Sequence, residues 1–283
     1  MLKNYYQITK PGIIYGNIIT ASGGYFLALS ISPFNILTYI FMLAGMACII
    51  GSGCIINNFI DSDIDQLMNR TKNRPTALGV IPLELGMIYS FSLLIIGLLL
   101  LYIFSNTLTT CIALSGWFIY VVLYSLWLKR HSNLGTLVGA VSGSVPPVVG
   151  FCAASNQFNS GAIILFLILF FWQLPHFYAI SIFRLDDYAN ANIPVLPIKK
   201  GINYTKKVML SYICLFLITA ISPSIFGYTG VVYFIVALGI SLYWLIHSIK
   251  GFKVDSDTKW ARKMFFISIL AIFLLCVFMA VKY

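Results

Sequence analysis

In the segment NNFIDSDIDQLMNRTKNRP, residues 57–75, three oxygen-bearing side chains recur every fourth position: Asn57, Asp61 and Asp65. On a helix, residues four apart drift by only about 40°, so the three make one stripe about 12 Å long. Asp63 falls on another side. Hard oxygen donors of this kind suit Mg²⁺, which keeps several waters and joins one or two carboxylates to a phosphate-bearing substrate. Arg70, Lys72 and Arg74 follow at once, and the guanidinium fork matches phosphate oxygens. Carboxylates beside guanidiniums describe a site for a metal-bound diphosphate. An ordinary cytoplasmic loop would also be basic, but it would not need Asn and two Asp in register, and ionisable groups at membrane depth are functional by default.

A second, looser version lies in FWQLPHFYAISIFRLDDYANANIPVLPIKKG, residues 171–201. An apolar run again ends in a basic residue and carboxylates, Arg184, Asp186 and Asp187, followed by Pro, Lys199 and Lys200. Four residues beyond Asp186 and Asp187 stand Asn190 and Ala191, so the stripe here is at most Asp/Asn. Two such ends facing one another would make a bipartite metal–diphosphate site. His176, beside Pro175 inside the run, is either functional or a hydrogen-bonding link between helices. Trp172, Phe177, Tyr178 and Tyr124 carry ring faces suited to a carbocation and equally suited to packing. Between the halves, Lys129 and Arg130 close another apolar run. Gly139, Gly143 and Gly150 with Pro146 and Pro147 predict a bent, closely packed span that lines the pocket.

These groups need elements to hold them. Of 283 residues, 60% are hydrophobic and 9% charged, against roughly 25% charged in an average soluble domain. Runs of about 20 apolar residues mark membrane helices. Nine such runs lie near residues 13–30, 36–59, 83–104, 108–128, 134–154, 162–183, 208–228, 231–249 and 264–281. No β-barrel alternation is visible. The first run is longer than a signal-peptide core and is followed by eight more, so it reads as a retained helix. The expected fold is all-α, a single domain over residues 1–283, with nine transmembrane helices around a central pocket.

Charge fixes the expected orientation. Every Lys and Arg except Lys282, and all the acidic residues, fall in or beside the connections on one face, while loops 30–35, 105–107, 155–160 and 228–230 carry no charge. The positive-inside rule makes the charged face cytoplasmic, with the pocket opening there, the N-terminus inside and the C-terminus outside. The net charge of +10 is explained by this topology, and no nucleic-acid motif accompanies it. The six cysteines, Cys48, Cys54, Cys111, Cys152, Cys214 and Cys276, have no metal-like spacing and read as small core residues.

The Asn57–Asp61–Asp65 stripe on the second of nine helices, with an acidic motif after the sixth, resembles the UbiA-type intramembrane prenyltransferases. LKR (residues 128–130) with Asn133, GSVPPVVG, WQLPHF, RLDDYANANIPVLP and the early TKPG (residues 9–12) are similar, more narrowly, to the branch of that family that farnesylates protohaem IX. The resemblance implies a reaction in a bacterial plasma membrane in which farnesyl diphosphate is held through Mg²⁺ on Asp61, Asp65 and Asp187. Asn57 completes the stripe, and Arg70, Arg74, Lys129, Arg130 and Arg184 neutralise the diphosphate. Haem B is then a substrate, and Lys10, Asn17, His176, Asp186 and Tyr188 are implied contacts for the substrates. A downstream haem-modifying enzyme or oxidase is the implied partner. Three other readings share some features: a prenyltransferase for an aromatic quinone precursor, a cation-coupled transporter and a structural subunit. The first lacks reason for the PHF and DDY motifs, the second expects charge near the midplane, and the third leaves the acidic register unexplained.

Overall fold

The computed structural model describes residues 2–132 and 134–281, so Asn133 and Lys282 lie outside the described residues. Among those described there are helices and turns but no strands. The long helices, in chain order, are α1 (Pro11–Ala28), α2 (Ile36–Ile60), α3 (Leu83–Phe104), α4 (Thr107–His131), α5 (Gly135–Ser155), α6 (Ser160–Phe183), α7 (Ile202–Ile225), α8 (Val231–Lys250) and α9 (Asp257–Met279). The all-helical membrane fold expected from composition is the one observed.

Eight of the nine, α2 through α9, are long and apolar enough to cross a bilayer. The exception is α1. Its 18 residues span about 27 Å at 1.5 Å per residue, just short of a hydrocarbon core of about 30 Å, and it carries Asn17, Thr20 and Ser22.

The bundle has two large apolar cores among the described residues. Tyr25, Met42, Met46, Leu101 and Val149 knit α1–α5, while Leu165, Ile168, Met209, Phe216, Trp244 and Met264 knit α6–α9. Helix α1 is the hinge of the arrangement, packing on both α5 and α9. Its approach to α5 is backbone on backbone. A Cβ on Gly150 would lie 1.9 Å from the Ala21 carbonyl oxygen, and one on Gly24 would lie 1.9 Å from that of Pro147. Helix α5 breaks at Ser144, between Gly135–Gly143 and Val145–Ser155, and its first half lines the cavity as the Gly/Pro pattern predicts.

The two ends are finished differently. At the uncharged end Asn35, Asn106 and Asn159 cap α2, α4 and α6 by accepting backbone N–H bonds, which satisfies donors that lipid cannot. At the charged end Lys206 of α7 donates to Asp257 of α9 (2.5 Å) and to the Gly251 carbonyl (2.7 Å). The cysteines do not form a common class: Cys54, Cys152 and Cys276 are buried, but Cys111 and Cys214 are exposed on outward helix faces, contrary to a uniform core role.

Candidate active site

Helix α2 ends at Asp61, yet its hydrogen-bond register carries on. The Asp61 N–H donates to the Asn57 carbonyl (3.0 Å), and the Asp65 N–H donates to the Asp61 carbonyl (2.8 Å) in the short helix Ser62–Leu67. The three side chains therefore stay on one stripe through the bend. All three are buried and all three line one cavity of about 800 Å³. Asp63 is turned out to solvent, as its position off the stripe predicts.

Cations meet the stripe from three directions. The Lys129 ammonium, at the end of α4, donates to Asp61 Oδ2. Arg74 returns from the following loop to donate to Asp65 Oδ2 at 2.7 Å. Lys10, just before α1, donates to Asn57 Oδ1, and the Asn57 amide in turn donates to Ser125 Oγ at 3.0 Å. Lys10 has a left-handed backbone, φ 53°, an unfavourable conformation for a residue with a side chain that packing must hold in place. Burial lowers its pKa to about 8, with the Arg74 and Lys129 charges acting the same way and Asp61 opposing. Arg70 lines the same end of the cavity. Four basic and two acidic side chains thus leave that end positive. One atom stands out: Asp61 Oδ1 is buried with no hydrogen-bond partner among the described residues.

Away from the charged end the lining becomes apolar and aromatic. Trp117, Tyr120 and Tyr124 come from α4, Trp172, His176 and Phe177 from α6, and Phe265 and Phe273 from α9. Residues 119–128 of α4 form a π-helix, a distortion common at functional sites. Tyr120 and Tyr124 stack with ring centres 5.8 Å apart, and Ser125, below Asn57, bonds the Tyr120 carbonyl at 2.9 Å. Trp172, Phe177 and Tyr124 are wall residues, whereas Tyr178 belongs to the α6–α9 core. Asn17 is also a wall residue, its amide held by the Ile13 carbonyl at 2.8 Å.

Other expected site residues are placed differently. Arg130 does not line the cavity; it grips Asp63 through both terminal nitrogens (2.7 and 2.8 Å) and bonds the Ile60 carbonyl. Arg184 and Asp186 are exposed and outside the cavity wall. Asp187 is buried, but its Oδ1 accepts the Asn69 N–H at 3.1 Å, and Arg184 stands 3.8 Å from its Oδ2. Among the described residues no three His, Cys, Asp or Glu side chains form a metal-binding group, and Asp187 does not line the cavity that Asp61 and Asp65 line. It instead ties the second acidic segment to the loop that carries Arg70. Ile64 and Met68 from the first segment pack with Ala191, Ile193 and Tyr188 from the second, and Tyr188 joins the cavity wall. Trp117 and Tyr120, which line the cavity, and Ser125, a buried residue that accepts from the Asn57 amide, are not singled out by the sequence. Their signal, a polar or large aromatic residue every few positions in α4, is shared with ordinary membrane helices.

A helical membrane bundle with acidic and basic side chains at one end of a deep aromatic cavity defines an integral membrane enzyme for an amphipathic, anionic substrate. The UbiA prenyltransferase family model matches residues 17–270, and the chain belongs to that family. It is 47% identical to the protoheme IX farnesyltransferase of Yersinia pseudotuberculosis serotype O:1b (strain IP 31758), over all of this chain and 96% of that one. It is 46% identical to the protein of the same name from Serratia proteamaculans (strain 568), over all of this chain and 95% of that one. Among solved structures, a digeranylgeranylglyceryl phosphate synthase superposes with a TM-score of 0.79 at 20% identity, covering 99% of this chain and 98% of that one. A UbiA homologue from Archaeoglobus fulgidus bound to GPP and Mg²⁺ superposes with a TM-score of 0.69 at 14% identity, covering 98% and 100%. These structural likenesses speak to the fold.

Proposed function

We propose that this chain transfers the farnesyl group of farnesyl diphosphate to the 2-vinyl group of haem B, with addition of water, giving haem O and diphosphate. The observation that carries the chemistry is Asp61: one oxygen held by Lys129, the other buried and unbonded among the described residues, at the charged end of an aromatic cavity. The acceptor assignment is supported by the full-length relatives named protoheme IX farnesyltransferase.

The unbonded Asp61 oxygen and the adjacent Asp65 carboxylate fit Mg²⁺, which takes one or two carboxylates together with phosphate oxygens and water. When bound, the metal would supply positive charge to the diphosphate leaving group. The chain's own residues do the rest. Lys10, Arg70, Arg74 and Lys129 present fixed cations to the oxygens on which negative charge grows as the carbon–oxygen bond breaks, and such preorganised charge is worth most where water is excluded. Asn57 holds the Lys10 ammonium in place, and Asp187 anchors the Asn69 backbone next to Arg70. Trp117, Tyr120 and Tyr124 present ring faces to the allylic cation. The vinyl group of haem B attacks that cation, and water adds to the carbon left positive, releasing a proton.

Charge asymmetry supports a cytoplasmic charged end in a bacterial plasma membrane, and α1 crossing as a short ninth span would put the termini on opposite sides. A downstream haem-modifying enzyme or oxidase would receive the product. The test is expression in cells that make haem B but no haem O, followed by chromatography of extracted haem. Appearance of a farnesylated, hydrated haem supports the assignment. Unchanged haem with a prenylated hydroxybenzoate would transfer the chain to the quinone-precursor branch.

A further inference from the structure

His176 is fixed on three sides. Its ring lies over Trp172, centres 4.7 Å apart at 24°, and against Phe265 at 4.8 Å and 32°. On its third side Nδ1 is 2.7 Å from Ser268 Oγ of α9. Ser268 is fully buried and also receives the Trp172 indole N–H on its carbonyl at 2.7 Å.

The direction of the His176–Ser268 bond can be deduced. A hydroxyl has one proton to give. Ser268 Oγ lies 2.6 Å from the Phe265 carbonyl, which can only accept, so the hydroxyl proton is spent there. Toward His176 the same oxygen must therefore accept, and the proton sits on Nδ1. Nε2 of the neutral ring then carries a lone pair. Among the described residues it has no hydrogen-bond partner, and the side chain lines the cavity.

A neutral imidazole with Nδ1–H donated and Nε2 open is the arrangement found in metal-ligating histidines, whose other nitrogen is almost always held by an acceptor. It is unsuited to a haem propionate, because a lone pair repels a carboxylate where a donor is wanted. The geometry points to His176 Nε2 as the axial ligand to the iron of the haem substrate, with Ser268 as the positioning residue that sets its tautomer and ring plane. This rests on the haem reading above and deepens it. His176 lies seven residues, about 10 Å at 1.5 Å per residue, inside the charged end of α6. The iron is thus set deeper in the cavity than the diphosphate stripe.

The test is resonance Raman spectroscopy of ferrous haem B bound to the purified full chain, with donor diphosphate binding measured in parallel to confirm folding. The wild type shows an iron–histidine stretching band. His176→Gly loses the band, and added imidazole restores it. Ser268→Ala keeps a band but moves it to lower frequency, because Nδ1 has lost its acceptor and the ring is less basic, and haem binding weakens about 10- to 100-fold. Ser268→Thr restores both. A purely structural Ser268 would leave the frequency unchanged. The inference is overturned if His176→Gly keeps the wild-type band, if Ser268→Ala does not shift it, or if a wild type that makes haem O shows no such band. A wild type that neither binds haem B nor makes haem O overturns the functional reading as well.

Discussion

Lys129 reaches from the end of α4 to one carboxylate oxygen of Asp61, while the other oxygen of that carboxylate is buried with no partner among the described residues. In the proposed reaction this pair holds one carboxylate oxygen in place and leaves the other for Mg²⁺. Asp61→Asn keeps the shape but removes the charge. It should lower kcat by about 10²–10³, the range for losing one preorganised electrostatic contact, as measured by haem product formed under saturating substrates. Lys129→Met should cost stability too, about 3–5 kcal/mol, because it strands a buried carboxylate. Thermal unfolding in detergent reads that loss.

Arg130 is next to Lys129 in sequence and serves a different partner. It is committed to Asp63 and the Ile60 carbonyl, outside the cavity. Arg130→Gln should therefore reduce kcat/KM by no more than about 10-fold, a loss of about 1.4 kcal/mol, while Lys129→Met lowers it far more. Equal losses in side-by-side turnover assays would put Arg130 in the site after all.

Donor binding should depend on pH through Lys10. Its pKa is lowered to about 8, chiefly by burial. Binding an anion favours the protonated form, so affinity for the prenyl diphosphate should be full below pH 8 and fall as pH rises through it. Lys10→Arg, which stays charged, should flatten that fall. Titration of donor binding from pH 6.5 to pH 9.5 (about 1.5 units either side of the midpoint, wide enough to span a single-proton titration) checks it. The sign for stability is opposite. A lysine whose folded pKa lies below its unfolded value costs stability while charged, and the cost is relieved as pH rises above about 8.

The α1–α5 crossing should tolerate no side chain at its glycines. Gly150→Ala and Gly24→Ala each drive a methyl into a backbone carbonyl, at 1.9 Å. Each should lower thermal stability by about 1–3 kcal/mol or more, the cost of overpacking. Gly12→Ala, which meets nothing within 4 Å, should be neutral in the same thermal-shift series.

The Asn57–Asp61–Asp65 register was readable because helical period alone places those residues together, and the structure keeps it through the bend at Asp61. Span number two through nine was readable from apolar length, whereas α1 sits at the limit where eighteen residues and several polar groups blur the distinction. Partner choice was not readable. Nothing local says that Arg130 turns to Asp63 while Lys129 turns to Asp61, or that Asp187 spends an oxygen on the Asn69 backbone. Those choices depend on how α4, α6 and the loop after α2 meet in space. Ser268 illustrates the limit: a lone serine in an apolar span carries no signal until α9 is laid against α6.

The most direct test uses the purified chain in lipid with haem B, farnesyl diphosphate and Mg²⁺, reading extracted haem by mass spectrometry. Asp61→Asn and a chelated sample run beside it. The account predicts a haem heavier by one farnesyl group and one hydroxyl, formed about 10²–10³ more slowly by Asp61→Asn and absent from the chelated sample. Unmodified haem B from a preparation that prenylates an aromatic acid, or full haem O formation by Asp61→Asn, would contradict it.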